Sequence, residues 1–491
     1  MTSIQDLLKH HIEKSGYSVY SISYKAHINR STLQKIVQGQ RKITWDIFDK
    51  LIPFFNLTPQ ELAEMNNAFL ISKIGEERYQ THMYIKEIFE SSQALQRAAA
   101  NSDIPYLYTP PCEFPDTFLI SDGHKIVDVI YSVLYGSEHP YMYSFCDFQG
   151  DFMTTLLRQF SGELYAKIDI RFVTEFAKVD STCDNLYNLK TLRHLISLIS
   201  ILPTPLRVHY YYNNCYGADD RGYFGASVFP YYIVTDRYVI LLAPDYGTAL
   251  FMSDTNVHRH YLEAFDALTR KSPALFDECI SYPELLSHMI AYERWSDSTY
   301  KYCINIQPVV TCCIDKQMID KYIIDTEKRE MIASALLLRQ KQLYTALSEN
   351  EHVTYFTSAG LKLLTDKGIC LDFISYMKGP FSIPDRISIL ERTININNNN
   401  NNNRAGCELL LRDDLFPASA NIQFSFEDDY HLTMVLPMCE NPCVMYIAER
   451  TLCESINDFF STIPLYGYSH SLEATNDILR AEIEKLKAQL Q

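Results

Sequence analysis

Residues 27–41 read HINRSTLQKIVQGQR. Leu33, Ile36 and Val37 fall three and four apart, so they share the inward face of one helix, and Ile28 plugs the turn before it. That spacing turns Arg30, Ser31, Thr32, Gln34 and Lys35 outward, mostly from the first turns. Asn29 is a good N-cap and Gly39 a natural stop, which predicts a helix over 30–38. The neighbouring segments are punctuated in the same way. Ser3 and Asp6 cap a helix carrying Ile4, Leu7, Leu8 and Ile12, which Ser15-Gly16 ends. Ser18 caps a short helix with Val19, Ile22 and Ala26. Thr44 caps a fourth with Ile47, Phe48, Leu51 and Ile52, and Thr58-Pro59-Gln60-Glu61 is a capping box for a fifth. Five short helices predict a compact all-α head over residues 1–66.

The chain has 491 residues and a net charge of −16, which by itself argues against nucleic-acid binding. The charge is unevenly placed. Residues 1–60 hold eight Lys and Arg against four Asp and Glu, a net +4, so the remainder carries −20. A basic head on an acidic body concentrates attraction for phosphate at one end.

The order of elements over residues 4–65, in SVYSISYKAHINRSTLQKIVQGQR and TWDIFDKLIPFFNLTPQEL, resembles the Cro/repressor-type helix-turn-helix of the XRE family. The resemblance places Ile22, Ile28, Leu33, Ile36, Leu51 and Phe55 in the core. It implies base reading by Arg30, Ser31, Gln34 and Lys35, where Arg and Gln suit bidentate contacts to guanine and adenine edges. It implies backbone contacts by Gln38, Gln40, Arg41 and Lys42 in the loop, with Ser18, Asn29 and Thr32 at the helix starts meeting phosphates. The sequence departs from the family at three places. His27 stands where glycine is usual in the turn, Ser23 replaces an alanine, and Pro53 falls inside the fourth helix, where it removes a hydrogen bond.

The chain is 47% hydrophobic and 13% aromatic, enough for large cores. No window approaches the roughly 18–20 continuous apolar residues of a membrane span, and the N-terminus lacks the apolar run of a secretory signal, so a cytoplasmic, non-membrane protein is expected. Thirteen cysteines are scattered, including the adjacent Cys312–Cys313. Cys439 and Cys443 are followed by no second pair at zinc-finger spacing, so reduced thiols, no metal and no cofactor are expected.

Residues 67–116 read as a helical connector and a proline-rich linker with Pro105, Pro110, Pro111 and Pro115. Beyond it, YMYSFC (141–146), KIDIRFV (167–173), PLRVHYYY (205–212) and YVILLA (238–243) read as strands. The helical stretches between them make an α/β layer. Asp236–Leu241 and Asp428–Thr433 each open a strand–strand–helix unit, ending at Phe265 and Phe459. Two readings are open, chance likeness or two related α/β halves over 117–270 and 271–467. The element order of each half resembles the duplicated phospholipase D-like fold. That family's His-x-Lys-x4-Asp motif is absent, so the resemblance implies architecture without phosphodiesterase chemistry.

No P-loop, G-x-G-x-x-G, G-x-S-x-G or H-E-x-x-H occurs. Tyr210, Tyr212 and Asn214 are the candidate ligand contacts, the alternative being a buried strand with tyrosines at its rim. The asparagine run Asn397–Asn403 is expected to be a disordered loop over 394–404.

The C-terminal helix, 468–491, carries Leu472, Asn476, Leu479, Ile483, Leu486 and Leu490 at alternating spacings of four and three. Such a stripe suits a two-stranded parallel coiled coil and a homodimer, or equally packing on the chain's own body. The combined expectation is a transcriptional regulator that binds double-stranded DNA as a homodimer and senses a small-molecule or peptide effector, with no enzymatic activity. The rival is an enzyme or scaffold whose helical head docks a protein partner.

Overall fold

The computed structural model describes residues 3–99, 114–148, 150–160, 162–178, 186–199, 207–213, 228–276, 302–324, 327, 329–349, 352–372, 376–399, 406–416, 423–426, 431–436 and 443–490. The protein is a multidomain α/β molecule with two mixed sheets. It divides into two compact units, Met1–Met83 and Tyr84–Gln491.

The first unit holds α1 (Ile4–Ser15), α2 (Val19–Lys25), α3 (Arg30–Val37), α4 (Trp45–Leu51), α5 (Pro59–Ile74) and the start of α6 (Glu76–Ala99). Each of the first five begins on the expected cap. The hydroxyls of Ser3, Ser18, Thr44 and Thr58 and the carboxamide of Asn29 accept amide hydrogens from the following turn. Pro53 kinks nothing, because α4 stops at Leu51 and the proline lies in a 3-10 turn, Ile52–Phe54. The unit extends past residue 66. Phe69 of α5 stacks on Phe48 at 4.5 Å and is fully buried, so the core needs residues that the sequence reading gave to a connector.

The second unit carries both sheets. In the first, β2 (Tyr141–Phe145), β3 (Asp169–Ala177) and β4 (Arg207–Asn213) are parallel. Alongside β2 runs an antiparallel meander of β5 (Tyr231–Val234), β6 (Val239–Leu242) and β7 (Ala249–Met252). β1 (Thr117–Ile120) and β8 (Ala274–Phe276) close the two edges, giving the order β1-β7-β6-β5-β2-β3-β4-β8. In the second sheet, β9 (Tyr302–Ile304), β10 (Val353–Phe356) and β11 (Cys407–Leu410) are parallel. β12 (Gln423–Phe426), β13 (Leu432–Leu436) and β14 (Cys443–Ile447) form the meander beside β9.

The two sheets therefore repeat one plan of three parallel strands followed by three antiparallel ones. Each meander leads into a helix, α11 (Thr255–Lys271) or α17 (Arg450–Thr462), capped by an acidic side chain, Asp254 or Glu449. Phe265 and Phe459 lie buried in those helices. Asp428, Asp429 and Tyr430 of the second motif lie outside the described residues. The first sheet also runs past residue 270, because β8 pairs with β4.

Helices fill the connections that parallel strands require. The first half adds α7 (Gly123–Tyr135), α8 (Phe152–Arg158), α9 (Gly162–Tyr165) and α10 (Leu186–Ile199). The second adds α12 (Val310–Cys313), α13 (Lys316–Tyr322), α14 (Arg329–Glu349), α15 (Ser358–Lys367), α16 (Ile383–Asn398) and α18 (Leu472–Ala488). Among the described residues no helix is long and apolar enough to cross a membrane.

Two expectations are corrected here. Ile394–Asn398 is the last part of α16 rather than loop, with Ile394, Ile396 and Asn397 buried. The Asn397 amide exchanges hydrogen bonds with the backbone of Glu408, at 2.8 and 3.1 Å, and donates to Asn476 at 2.9 Å. Asn476 in turn donates to Asn398 at 3.2 Å. The heptad stripe of α18 is thereby occupied within the chain. Leu479, Ile483 and Leu486 are buried against α16 and the second-half core, Leu472 is half-buried, and only Leu490 of the stripe is exposed. A stripe of leucines is the same pattern whether its partner is another chain or an intramolecular helix, and here the partner is intramolecular.

Asn476→Ala leaves the Asn397 and Asn398 amides short of a buried partner, and is expected to cost about 1–3 kcal/mol in denaturant unfolding. A coiled-coil role would instead show as stability that depends on protein concentration. Glu408 is fully buried, its Oε2 accepts the Val309 amide, its Oε1 has no partner, and burial pushes its carboxyl up to about 7. Between about pH 4.5 and 7 the folded state therefore holds a proton that the unfolded chain has released. Stability is expected to fall as pH rises through that window, by up to about 3 kcal/mol. Glu408→Gln should flatten the slope, read from urea midpoints at pH 5 and 7.5.

Candidate nucleic-acid interface

The α2–turn–α3 segment is built from short-range hydrogen bonds and a small apolar plug. Ala26 N–H donates to Ile22, His27 N–H to Tyr24 and Ile28 N–H to Ser23, which folds the chain back between the helices. His27 has φ +54°, so it occupies the left-handed position that glycine would take without strain. Ile22, Leu33 and Ile36 are essentially fully buried, with Ala26 and Ile28 beside them.

The opposite side of α3 is open. Arg30, Ser31, Gln34 and Lys35 are exposed, and Thr32 is half-buried. The loop after α3 is a Schellman turn: Gly39, at φ +75°, donates to Ile36, and Gln40 donates to Lys35 at 2.8 Å. It holds Gln38, Gln40, Arg41 and Lys42 exposed, while Ile43 anchors its end in the core. Arg41 reaches back to the Thr32 hydroxyl at 3.3 Å, tying the loop to the first turn of α3. Ser18 and Asn29 were expected to face phosphate. Their side-chain oxygens cap the helices as expected, Ser18 on the Ser21 amide at 3.1 Å and Asn29 on the Ser31 amide at 2.9 Å, and it is the helix N-termini they hold that would meet phosphate.

Ion pairing sorts the cations of this unit. Lys9 pairs with Asp6, Lys14 with Glu61 and Lys50 with Asp46. Among the described residues no carboxylate lies within ion-pair distance of Lys25, Arg30, Lys35, Arg41 or Lys42. All five belong to α2, α3 and the loop that follows. Two aromatic rings missing from the sequence reading sit among them. Arg30 lies over the Tyr20 ring at 5.5 Å and Lys25 over the Tyr17 ring at 4.4 Å. Ten and eight residues separate these partners, a spacing that no single-helix period brings together.

The other candidate residues have a different fate. Tyr210 is buried and donates to the Ala448 carbonyl at 3.4 Å, and the Tyr212 hydroxyl donates to Glu449. Both tyrosines thus join the first half of the body to the second. Asn214 lies outside the described residues. The fold also brings Cys303 Sγ and His352 Nε2 to 3.3 Å, a pair 49 residues apart in sequence. Burial pushes the thiol up to about 12 and the imidazole down to about 4, so the pair is neutral and holds no thiolate. A cavity of about 400 Å³ is lined by Cys312, Asp315, Gln340, Arg392 and Asn395. Its main cation is already satisfied, since Arg392 donates to Cys313 O at 2.7 Å and to Asp315 at 2.6 Å. No group of three His, Cys, Asp or Glu able to hold a metal occurs among the described residues.

No protein-family model matches the chain, and neither does any curated protein or solved structure.

The turn carries its own test. His27→Gly removes the side-chain strain of the left-handed position, roughly 1–2 kcal/mol, against an entropic cost of about 0.5–1 kcal/mol for glycine, leaving a net gain of about 0.5–1 kcal/mol. Amide hydrogen exchange in α2 and α3 is expected to slow by about two- to five-fold where it proceeds by opening of this segment. Faster exchange would show that His27 contributes more than geometry.

Proposed function

We propose that the protein is a sequence-specific DNA-binding transcriptional regulator. Its first unit would be a Cro/repressor-type helix-turn-helix head of the XRE kind, and its α/β body an effector-sensing or assembly domain. The observation that carries this reading is the sorting of charge. Five of the six described cations of the unit for which no carboxylate lies within ion-pair distance share the α2–α3 segment with a solvent-facing row of Arg30, Ser31, Gln34 and Lys35, the sixth being Lys73 on α5, over the Phe69 ring. A helix with its apolar side buried and a polar, basic side presented to solvent matches what major-groove reading requires. Arg30 and Gln34 would read base edges, while Arg41, Lys42, Gln38 and Gln40 would follow the phosphate backbone.

The repeated strand plan supports a duplicated body, in keeping with the phospholipase D-like resemblance, and assigns it no chemistry. Binding as a homodimer to half-sites about one DNA turn apart would draw on surfaces other than the α18 stripe. A second reading, a head that docks a protein partner, is favoured by the exposed rings of Tyr20, Tyr24 and Trp45.

The two readings differ in salt dependence. Arg30→Ala or Gln34→Ala is expected to relax preference at one operator position, at a cost of about 1–3 kcal/mol. Arg41→Ala should weaken binding to all duplexes and reduce the salt slope by about one. Selection from random duplexes followed by titration at several salt concentrations measures both. A chain that shows no salt-dependent affinity for any duplex would leave the docking reading standing.

A further inference from the structure

The carboxyl ends of the parallel strands differ between the two halves. In the second half that end is filled. Gln307 donates to the carbonyls of Gly360 and Ile369, at 3.1 and 2.9 Å, and accepts from the Leu371 amide at 2.8 Å. Gly360 lies so close to Ile306 that a Cβ there would sit 1.9 Å from its carbonyl oxygen. The buried carboxylate nearby, Glu408, accepts the Val309 amide at 2.7 Å through Oε2 and keeps Oε1 without a partner, but among the described residues no tyrosine donates to it.

In the first half the same end carries tyrosines and carboxylates. Glu175, near the end of β3, is opposite Tyr211 on β4, which donates to it. Glu175 is only 6% exposed, yet its Oε1 has no hydrogen-bond partner. The charge acting on it is Asp147, just beyond β2, which has the same sign. Tyr187 at the start of α10 lies in the field of both carboxylates and of Tyr211 and Tyr231. Tyr231 stacks on Tyr246 with centroids 5.4 Å apart, and the Tyr246 hydroxyl bonds the Asp147 backbone at 2.7 and 3.0 Å. A parallel sheet binds ligands outside the carboxyl ends of its strands where the strand order reverses, and β2 is that point, with parallel β3 on one side and antiparallel β5 on the other.

The geometry points to a binding site in the first half for a small organic cation of the ammonium class, held by Glu175 and Asp147 within the rings of Tyr187, Tyr211 and Tyr231. Aromatic faces attract ammonium groups, most strongly where water is excluded, and a buried carboxylate with no cation beside it supplies the countercharge. Carboxylates also serve hard metal ions, so it is the surrounding phenol rings that favour an organic ammonium here. The site rests on the reading of the body as an effector-sensing domain and supplies the chemistry of that effector.

The test uses the full chain, titrated with tetramethylammonium chloride and with choline chloride against sodium chloride at equal ionic strength. Tyrosine difference absorbance and calorimetry report binding. Saturable binding of both cations is expected, with none of the neutral isostere 3,3-dimethyl-1-butanol. Glu175→Gln should weaken binding at least ten-fold, and Tyr231→Leu provides a second variant if the first does not fold. Glu408→Gln, in the other half, should leave it unchanged. Absence of saturable binding, equal binding of the neutral isostere, or native affinity in folded Glu175→Gln would overturn the site. Duplex DNA binding on the same preparations separates the two ideas. DNA binding without cation binding overturns only the cation site, and cation binding without DNA binding overturns only the regulator.

Discussion

Open sheet edges are the constraint around which the body is arranged. A sheet of three parallel strands and an antiparallel meander cannot close on itself, so each half leaves two rows of backbone donors and acceptors to be dealt with. In the first half β1 and β8 are added at the edges. In the second half the β11 edge is covered by the C-terminal segment. The His470 amide donates to Leu410 at 2.8 Å, and the Leu410 amide donates to the Thr475 hydroxyl at 3.2 Å. The other edge, β14, packs beside β8, and Tyr210 and Tyr212 fasten the chain just beyond it. The last helix and the rings of Tyr210 and Tyr212 thus serve to close the body, the helix stripe packing on its own chain and the two hydroxyls bonding Ala448 and Glu449.

One strand plan has been put to two uses. In the second half the strand ends are sealed by Gln307 and the Gly360 contact, and the polar groups beneath, Cys303, His352 and Thr354, satisfy one another. Each half also buries a carboxylate with one oxygen lacking a partner, Glu408 beside the Val309 amide in the second and Glu175 among aromatic rings in the first. Leaving a buried acceptor unpaired costs about 1–3 kcal/mol, so such a group is either a burden or the fixed part of a site completed by something else. Segment 84–90 of α6 touches both halves. Glu87 pairs with Arg193 of the first at 2.8 Å, and Phe89 packs on Phe416 and Phe424 of the second.

The head was legible because its information is local. A cap, an apolar residue three or four positions on and a glycine stop all act within one or two turns, so α1 to α5 start where Ser3, Ser18, Asn29, Thr44 and Thr58 say they do. The strands Tyr141–Phe145, Val239–Leu242 and their neighbours were legible for the same reason, from β-branched and aromatic runs. Even the departure at His27 could be placed, since only one position in that turn requires positive φ. What the residues pack against was not legible. Phe69 looked like part of a connector until Phe48 was found beneath it, and Asn397 looked like part of a polar run until Glu408 and Asn476 were found around it.

By itself, then, the sequence determined the helical caps of the first unit, the outward row on α3, the uneven charge and the alternation that makes an α/β body, because each depends on neighbours in the chain or on composition. Only the tertiary structure decided that HINRSTLQKIVQGQR is flanked by the rings of Tyr17 and Tyr20, that the α18 leucines face their own chain, and that Glu175 lies among tyrosines with one oxygen lacking a partner. Those facts depend on contacts between residues that lie on different elements, from eight to about ninety positions apart. Such contacts are set by how sheets and helices share a core, and no local period encodes them.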